Sequence, residues 1–260
     1  MRSIWKGSVS FGLVTIPVRL YSAVEQRDVS FHQVRRSDGS RIKYKRVAAA
    51  DGEEVPYSEI AKGYELGSGD VVVLTDEDFA ELPLASSKTV EVLAFVPLEQ
   101  VDPIYFDKPY YLEPDQAGLK PYLLFREALE ESGRVALVKV ALRQRESLAC
   151  LRVRDGILVM ETMLWPDEIR EADFEVLGQD VEVRKQEVAM AKTLIETLAS
   201  DFHPEEFSDE YREAVQKLID AKVEGREVVA APAAEVEGAA VVDLMTALRQ
   251  SVEAAKRAAG

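Results

Sequence analysis

Short stretches in which apolar and polar residues alternate occupy much of the first 165 positions. The earliest, residues 8–21, is rich in β-branched and aromatic side chains, which predicts a strand with a bend at Pro17. The stretch 41–47 puts Ile42 and Tyr44 on one face and cations on the other, which predicts a half-buried strand with a basic face. Further strands are predicted over residues 71–74, 89–96, 135–142, 148–153 and 157–165.

Helical periodicity is sparse in this part of the chain. Short helices are predicted at residues 58–62 and 75–78, where Thr75 is a candidate cap, and a longer one at 121–132, opened by Pro121. Many strands without regular helices between them are typical of an antiparallel sheet or barrel and disfavour a doubly wound fold. The fold class expected is mixed α+β.

The pattern changes after about residue 180, where apolar residues recur at helical spacing behind Asp180 as a possible cap. A second helix follows Ser208, residues 224–240 have no usable period and are predicted to be a linker, and residues 243–257 form another amphipathic helix. A lone helix of this length is marginal in water, so it either binds a partner or docks on its own chain. Its apolar stripe is Leu244, Met245, Leu248 and Val252.

Composition bounds the class of protein. The chain has 260 residues, 47% of them hydrophobic, which is enough for a substantial core. One cysteine, Cys150, and two histidines exclude a disulfide scaffold and an ordinary Cys/His zinc cluster. No apolar run is long enough to span a bilayer, and the first residues do not resemble a signal peptide. We therefore expect a soluble, cytoplasmic protein without a membrane contact.

Charge is distributed unevenly along the chain. The formal net charge is -15, yet residues 1–50 carry a net +7 and residues 134–154 a net +5. If folding brings these two islands together on one concave face, that face can bind nucleic acid while the acidic exterior repels it. The alternative is that both islands are solvated strand faces balanced by acidic neighbours, and charge alone leaves both open.

Motifs for catalysis are mostly absent. The sequence lacks the phosphate-binding loop, the dinucleotide fingerprint, the nucleophile elbow and the zinc-protease signature. The acidic runs 76–78 and 205–206 could in principle hold Mg²⁺ for phosphodiester hydrolysis, but carboxylates at a helix start are far more often solvated charges favoured by the helix dipole. We expect no enzyme activity, no cofactor and no metal.

The residues near the N-terminus carry a family resemblance. The sequence WKGSVSFGLVTIPVRLY, residues 5–21, resembles the opening signature of the bacterial Ku proteins. The resemblance continues through most of the chain, at residues 41–47, 95–97, 102–106, 110–114, 164–170 and 242–248.

This resemblance implies a Ku-type β-barrel with an extended strand bridge and a C-terminal helical arm, two copies of which form a ring-shaped homodimer around duplex DNA. It also implies sequence-independent binding of double-stranded DNA ends and recruitment of DNA ligase D in non-homologous end joining, at the nucleoid. The expected parts are a core barrel with bridge (1–180), a helical arm (181–223), a linker (224–240) and a short ligase-interacting helix (241–260). The apolar stripe of this last helix, from Leu244 to Val252, is then the candidate partner-binding surface.

The resemblance also implies roles for the basic residues. The phosphate-contacting lining is expected first on the basic face of residues 41–46 together with Lys6, Arg19, Arg35 and Arg36, and second on Lys139, Arg143 and Arg145 as the bridge or barrel wall. Trp5, Phe11 and Trp165 are more simply packing residues, because a duplex offers no free base face. The candidate DNA-binding residues are Lys6, Arg19, Arg35, Arg36, Arg41, Lys43, Lys45, Arg46, Lys139, Arg143 and Arg145.

Two other functions compete with a DNA-end-binding scaffold. A metal-dependent nuclease or lyase would use an acidic cluster such as residues 76–78, and a protein-interaction scaffold would use the acidic surface. Two departures from the family pattern limit what is carried over. Residues 47–52 read VAAADG where some relatives carry cysteines, so no zinc is predicted, and effects that depend on the lysine-rich tail of some relatives are not carried over.

Overall fold

The computed structural model describes residues 1–80, 88–142, 145–225 and 244–258. The chain divides into two compact units. The first comprises Met1–Arg27 and His32–Glu171, and the second comprises Asp28–Phe31 and Ala172–Gly260. The division of the chain into four parts expected from the sequence remains a prediction.

The described part of the first unit contains a closed seven-stranded barrel and a separate two-stranded hairpin. The barrel order is β1-β2-β6-β9-β8-β7-β5, in which neighbours are antiparallel except for the parallel pair β1 and β5 that closes the ring. The hairpin is formed by β3 and β4. The strands are β1 (Trp5–Phe11), β2 (Val14–Ser22), β3 (Lys62–Glu65), β4 (Val71–Leu74), β5 (Thr89–Pro97), β6 (Phe106–Pro114), β7 (Arg134–Leu142), β8 (Arg145–Arg154) and β9 (Ile157–Met163).

Alternate residues of the barrel strands fill its interior. Val9, opposite Ile16, and Leu20, opposite Leu112, point inward and are fully buried, whereas Lys6 and Arg19 on the intervening positions are exposed. The described part of this unit also contains two α-helices, α1 (Asp76–Ala80) and α2 (Leu119–Glu131). The buried side chains Tyr122, Phe125 and Leu129 of α2 join the barrel core.

A second apolar cluster lies on the outer face of β7, β8 and β9. Val135, Cys150 and Met163 are its buried strand residues, and Val101 from the loop before β6 covers them. Burial raises the pKa of the Cys150 thiol to about 11. The sequence-based interpretation of Cys150 as a buried structural thiol is confirmed.

Residues 8–21 are a hairpin and not one bent strand, so that prediction was wrong. The chain reverses at Gly12, whose φ of +58° is readily available only to glycine, and Phe11 then lies opposite Val14. Pro17 sits inside β2 opposite Ser8. The apolar pattern on both sides of the turn is the same, which hid the reversal.

The predicted half-buried strand at residues 41–47 was also wrong. Only isolated bridges form there, Val34 with Arg41 and Val47 with Glu54. Ile42 is 44% exposed and Tyr44 is 76% exposed. An alternating pattern becomes a strand only when a neighbour offers a continuous ladder, and this segment pairs for one residue on either side.

Other element predictions differ at their edges. The helix expected at 58–62 is a single 3-10 turn, Tyr57–Glu59, and the last barrel strand ends at Met163, before residue 165. The predicted cap Thr75 is confirmed: its Oγ1 accepts from the Asp78 amide at 3.4 Å, while its own amide donates to the Asp78 carboxylate at 2.7 Å. This amide hydrogen bond holds the pKa of Asp78 below its usual value.

The described part of the second unit is helical: α3 (Lys185–Leu198), α4 (Glu210–Val223) and α5 (Leu244–Ala258). The predicted cap Asp180 was wrong, since α3 starts after Arg184, whose amide donates to Glu187 at 2.8 Å. Helix α4 is capped by Asp209, which accepts from the Arg212 amide at 2.9 Å. No helix within the described ranges is long and apolar enough to cross a membrane.

Candidate nucleic-acid interface

Two candidate cations face each other on the outside of the barrel. Lys6 of β1 lies opposite Arg19 of β2, and Arg19 lies opposite Glu113 of β6. Arg19 Nη1 is 4.0 Å from Glu113 Oε2, which also accepts a 2.6 Å hydrogen bond from the Tyr21 hydroxyl. That hydrogen bond raises the pKa of Tyr21. Arg19 is therefore partly neutralised, whereas no carboxylate of the described residues pairs with Lys6.

A second group of cations lies on residues 32–56, which we call the basic segment. Nearly every side chain of this segment is exposed, and two turns of the same type fix its path. In the first, the Gly39 amide donates to the Arg35 carbonyl and the Arg35 amide to the Ser40 carbonyl, both at 2.8 Å. Asp38 accepts from the Ser40 amide at 3.0 Å, which lowers the pKa of Asp38.

The second turn repeats this pattern thirteen positions later. The Gly52 amide donates to the Ala48 carbonyl at 2.8 Å, and the Ala48 amide donates to the Glu53 carbonyl at 2.9 Å. Asp51 accepts from the Glu53 amide at 2.9 Å, the place that Asp38 takes in the first turn. Both glycines have positive φ, +71° and +77°. The two turns therefore flank residues 41–47 and fix the path of this stretch without a continuous sheet.

The cations of the basic segment differ in whether a carboxylate is paired with them. Arg35 Nη1 is 3.0 Å from Asp38 Oδ2, and Lys45 Nζ is 2.6 Å from Glu54 Oε2. The Arg46 guanidinium lies 5.5 Å from the centre of the Tyr57 ring, a cation–π contact that leaves its charge in place. Within the described ranges no carboxylate pairs with the remaining members, Arg36, Arg41 and Lys43.

The third group lies at one end of the hairpin formed by β7 and β8. Lys139 Nζ is 3.2 Å from Glu146 Oε2 and 5.6 Å from the centre of the Trp165 ring, on the outer face. The backbone of Arg145 lies opposite Leu142, at a position of β8 whose side chains point inward. Arg145 lines a cavity of about 450 Å³ at this end of the barrel. Arg143 lies outside the described residues.

No side-chain hydrogen bond or ion pair among the described residues joins the candidate cations of one group to those of another. Sequence reasoning missed two further cations, Lys108, which lines the cavity beside Arg145, and Lys62, whose Nζ is 3.9 Å from the centre of the Phe79 ring. No sequence pattern marks them, because their positions depend on contacts with residues far along the chain. Arg152 has a structural role: it makes two hydrogen bonds to Glu161, at 2.8 and 2.9 Å, which raise the pKa of Arg152.

The candidate partner-binding stripe is on α5, which packs against α3 in the second unit. Val252 is buried, Met245 and Leu248 are half-buried, and Leu244 is exposed. Of the two possibilities that the sequence left open, docking on its own chain is the one that the structure contains.

The acidic runs do not form a metal site in the part of the chain that the structure describes. No group of three His, Cys, Asp or Glu side chains there could hold an ion. Asp78 is instead engaged with Thr75 as the helix cap. His203 Nδ1 lies 3.8 Å from Glu205, next to a 3-10 turn that starts at Pro204.

Comparisons with known proteins agree on one family. The model of the Ku70/Ku80 beta-barrel domain matches residues 10–190. A protein of Frankia casuarinae named non-homologous end joining protein Ku is 66% identical over 256 residues, which cover 98% of this chain and 64% of the relative. A protein of the same name from Mycobacterium tuberculosis is 45% identical over 265 residues, covering 99% of this chain and 97% of the relative. The chain thus spans about two thirds of one relative and nearly all of the other.

Proposed function

The chain belongs to the Ku family, and we propose that it binds double-stranded DNA ends without sequence specificity as a scaffold of non-homologous end joining. The proposal describes a binding protein and not an enzyme, acting in the cytoplasm at the nucleoid. It rests on the family membership, on the names of the relatives and on the basic segment.

The observation that carries the proposal is the geometry of the basic segment. Two turns of the same type fix its path, and Arg36, Arg41, Lys43 and Arg46 lie on it with no carboxylate partner within the described residues. Such cations suit phosphate oxygens, which are the same at every base step, so contacts of this kind position a protein on DNA without reading sequence. Lys6 and Arg145 on the barrel are the candidates for additional phosphate contacts.

The preference for ends would follow from a closed ring. A compact chain of this length has a radius of gyration of about 18 Å, so one copy can hardly surround a duplex about 20 Å wide, whereas a homodimer can. Large apolar side chains are available for such an interface, since Ile42 and Tyr44 of the basic segment and Val188 and Ile195 of α3 are exposed. A ring that admits DNA only at a terminus needs no recognition of the chemistry of the end.

Recruitment of DNA ligase D is the proposed role of α5. Its stripe Leu244, Met245, Leu248 and Val252 is the partner-binding candidate. Because three of these side chains are at least half-buried by docking within the second unit, the ligase would have to displace α5 from α3 or bind the exposed side of the docked helix.

A competition experiment tests the proposal. A labelled short duplex bound by the protein is challenged with equal masses of linear and covalently closed circular DNA at about 0.1 M salt. Competition by the linear form alone is the expected result, because only a free terminus can thread a ring. Equal competition by both forms would contradict end-specific loading, and no binding at all would contradict the DNA-binding role.

A further inference from the structure

Four of the ten described candidate cations are held by carboxylates of the same unit. The pairs are Arg19–Glu113, Arg35–Asp38, Lys45–Glu54 and Lys139–Glu146, with N to O distances of 4.0, 3.0, 2.6 and 3.2 Å. A carboxylate beside a phosphate-binding cation presents to it the same charge and the same kind of oxygen as DNA does. Each of these carboxylates could therefore compete with DNA.

We propose that Glu54 attenuates DNA binding by competing with phosphate for Lys45. The inference rests on the proposed DNA binding and adds a specific residue to it. In the free protein Lys45 is bound to Glu54, and a phosphate can use Lys45 only after that ion pair opens. Glu54 acts through Lys45 and does not itself contact DNA.

Glu54 is singled out because its side chain does nothing else among the described residues and is 58% exposed, whereas Glu146, which also holds one cation only, is 29% exposed. Asp38 also accepts from the Ser40 amide and hydroxyl, so it holds the first turn together. Glu113 also accepts from Tyr21. The second turn is closed by backbone groups and by Asp51, without the Glu54 carboxylate. A carboxylate that is not needed for the turn can be removed without disturbing it.

The backbone brings Glu54 to Lys45. Val47 and Glu54 form a bridge across the second turn, and the Val55 amide donates to the Arg46 carbonyl at 2.9 Å. The returning arm of the turn therefore lies alongside the cation-bearing residues and carries a carboxylate within reach of one of them. The adjacent Glu53 is also exposed, and no cation within the described ranges pairs with it.

The pair can exchange with DNA. The side chains of Lys45 and Glu54 are 74% and 58% exposed, and exposed ion pairs contribute little to stability. When a lysine binds a phosphate, DNA releases a condensed cation, which makes binding weaken as salt rises. While Lys45 stays on Glu54 it neutralises no phosphate and releases no condensed cation. Lys45 then adds almost nothing to the salt dependence of the wild-type protein.

In the proposed ring, a competitor of this kind would also ease movement along the duplex. A cation with an alternative partner on the protein can leave one phosphate before it reaches the next. Removing the alternative partner should strengthen the hold on DNA and slow this movement.

Glu54→Gln and Glu53→Gln form a matched pair of variants, since both remove one negative charge from adjacent exposed positions. Binding of a short linear duplex is measured from about 0.05 to 0.3 M salt. For Glu54→Gln we expect a slope of log K against log salt that is steeper by about 0.9 and affinity about three- to tenfold tighter near 0.1 M salt. For Glu53→Gln we expect the wild-type slope, because this variant leaves the ion pair of Lys45 with Glu54 in place.

The Lys45→Ala substitution completes the test. In the wild-type background it should leave the slope almost unchanged, whereas in the Glu54→Gln background it should return the slope to the wild-type value. Equal slopes for Glu53→Gln and Glu54→Gln, or an equal effect of Lys45→Ala in both backgrounds, would overturn the inference. Absence of salt-dependent binding by the wild-type protein would instead contradict the proposed function, so the two failures are distinguishable.

Discussion

At the scale of single residues, Tyr122 joins α2 to the barrel. Its hydroxyl donates to the Leu112 carbonyl at 3.0 Å and accepts from the Leu158 amide at 2.8 Å, so one buried group satisfies backbone atoms of β6 and β9. The side chain is 5% exposed, and this burial raises the pKa of Tyr122. A buried hydroxyl with two partners is costly to delete because both partners lose their hydrogen bonds.

We expect Tyr122→Phe to lower the free energy of unfolding by about 1–3 kcal/mol, since the Leu158 amide and the Leu112 carbonyl would be left unsatisfied. Urea denaturation followed by circular dichroism measures the change. Tyr64→Phe, at a position that is 64% exposed, is the matched control and should be neutral. A neutral Tyr122→Phe variant would mean that water replaces the hydroxyl.

Cys150 gives a prediction on pH. Its thiol is fully buried and its pKa is raised to about 11, above the usual value near 9, because burial disfavours the thiolate. The unfolded chain therefore loses this proton first, and the stability that the neutral thiol contributes is complete below about pH 9 and is lost as pH rises toward 11.

The Cys150→Ala variant isolates this contribution. The difference in unfolding free energy between wild type and variant should shrink between about pH 9 and 11. In the folded protein at pH 8 the thiol should also resist a thiol reagent until denaturant is added. Rapid labelling without denaturant would show that the outer-face cluster opens readily.

At the scale of elements, the sequence predicts the barrel strands well where each strand lies against the apolar interior. The predictions for β5 and β7 agree with the structure to within one residue at each end, because burial on one face imposes alternation on the sequence itself. Residues 41–47 alternate equally well and form no strand. β7 differs because it pairs continuously with a strand on each side, and a local sequence pattern does not record whether such neighbours are present.

The basic segment shows that a local sequence pattern is also limited in what it predicts about the candidate site. Its cations can be read from the sequence, and so can the two Asp-Gly turns once they are compared. The ion pair of Lys45 with Glu54 depends on the returning arm of the second turn. Sequence therefore identifies which residues carry charge and cannot show which of those charges are already neutralised.

The docking of α5 on α3 gives a prediction at this scale. Val252 is 7% exposed and lies on the stripe with Met245 and Leu248, so Val252→Asp would bury a charge in the helix contact. We expect α5 to detach, with amide hydrogen exchange in residues 244–258 faster by at least about tenfold. Ala254→Asp, at an exposed position of the same helix, should leave exchange nearly unchanged.

The same pair of variants informs on the partner. If ligase D binds the apolar stripe, Val252→Asp should weaken its binding while Ala254→Asp does not. Equal ligase binding by wild type and both variants would contradict the proposed role of α5 without affecting the DNA-binding proposal.

At the scale of the whole molecule, closure of the barrel depends on the parallel pairing of β1 with β5, whose paired residues are 81 positions apart, as in Ser8 with Thr89. No local signal specifies such a contact. The barrel was expected because residues 5–21 resemble the Ku opening signature, and the family match over residues 10–190 confirms that expectation. Without that resemblance, the pattern of strands could not have distinguished a barrel from an open antiparallel sheet.

The exposed apolar side chains of α3 lead to the last prediction, which concerns the proposed homodimer. Val188 and Ile195 are 54% and 69% exposed and lie two helical turns apart on one side of α3, with the half-buried Ala191 between them. If this side contacts the second copy, Ile195→Asp should raise the dimer dissociation constant by at least about tenfold, because a buried, unpaired carboxylate is strongly unfavourable. Sedimentation velocity over a range of protein concentrations measures this constant.

Thr193→Asp is the control, because it adds the same charge on the opposite side of α3 and should leave the dimer dissociation constant unchanged. A monomeric wild-type protein would contradict the ring itself, and equal behaviour of both variants would place the dimer contact elsewhere.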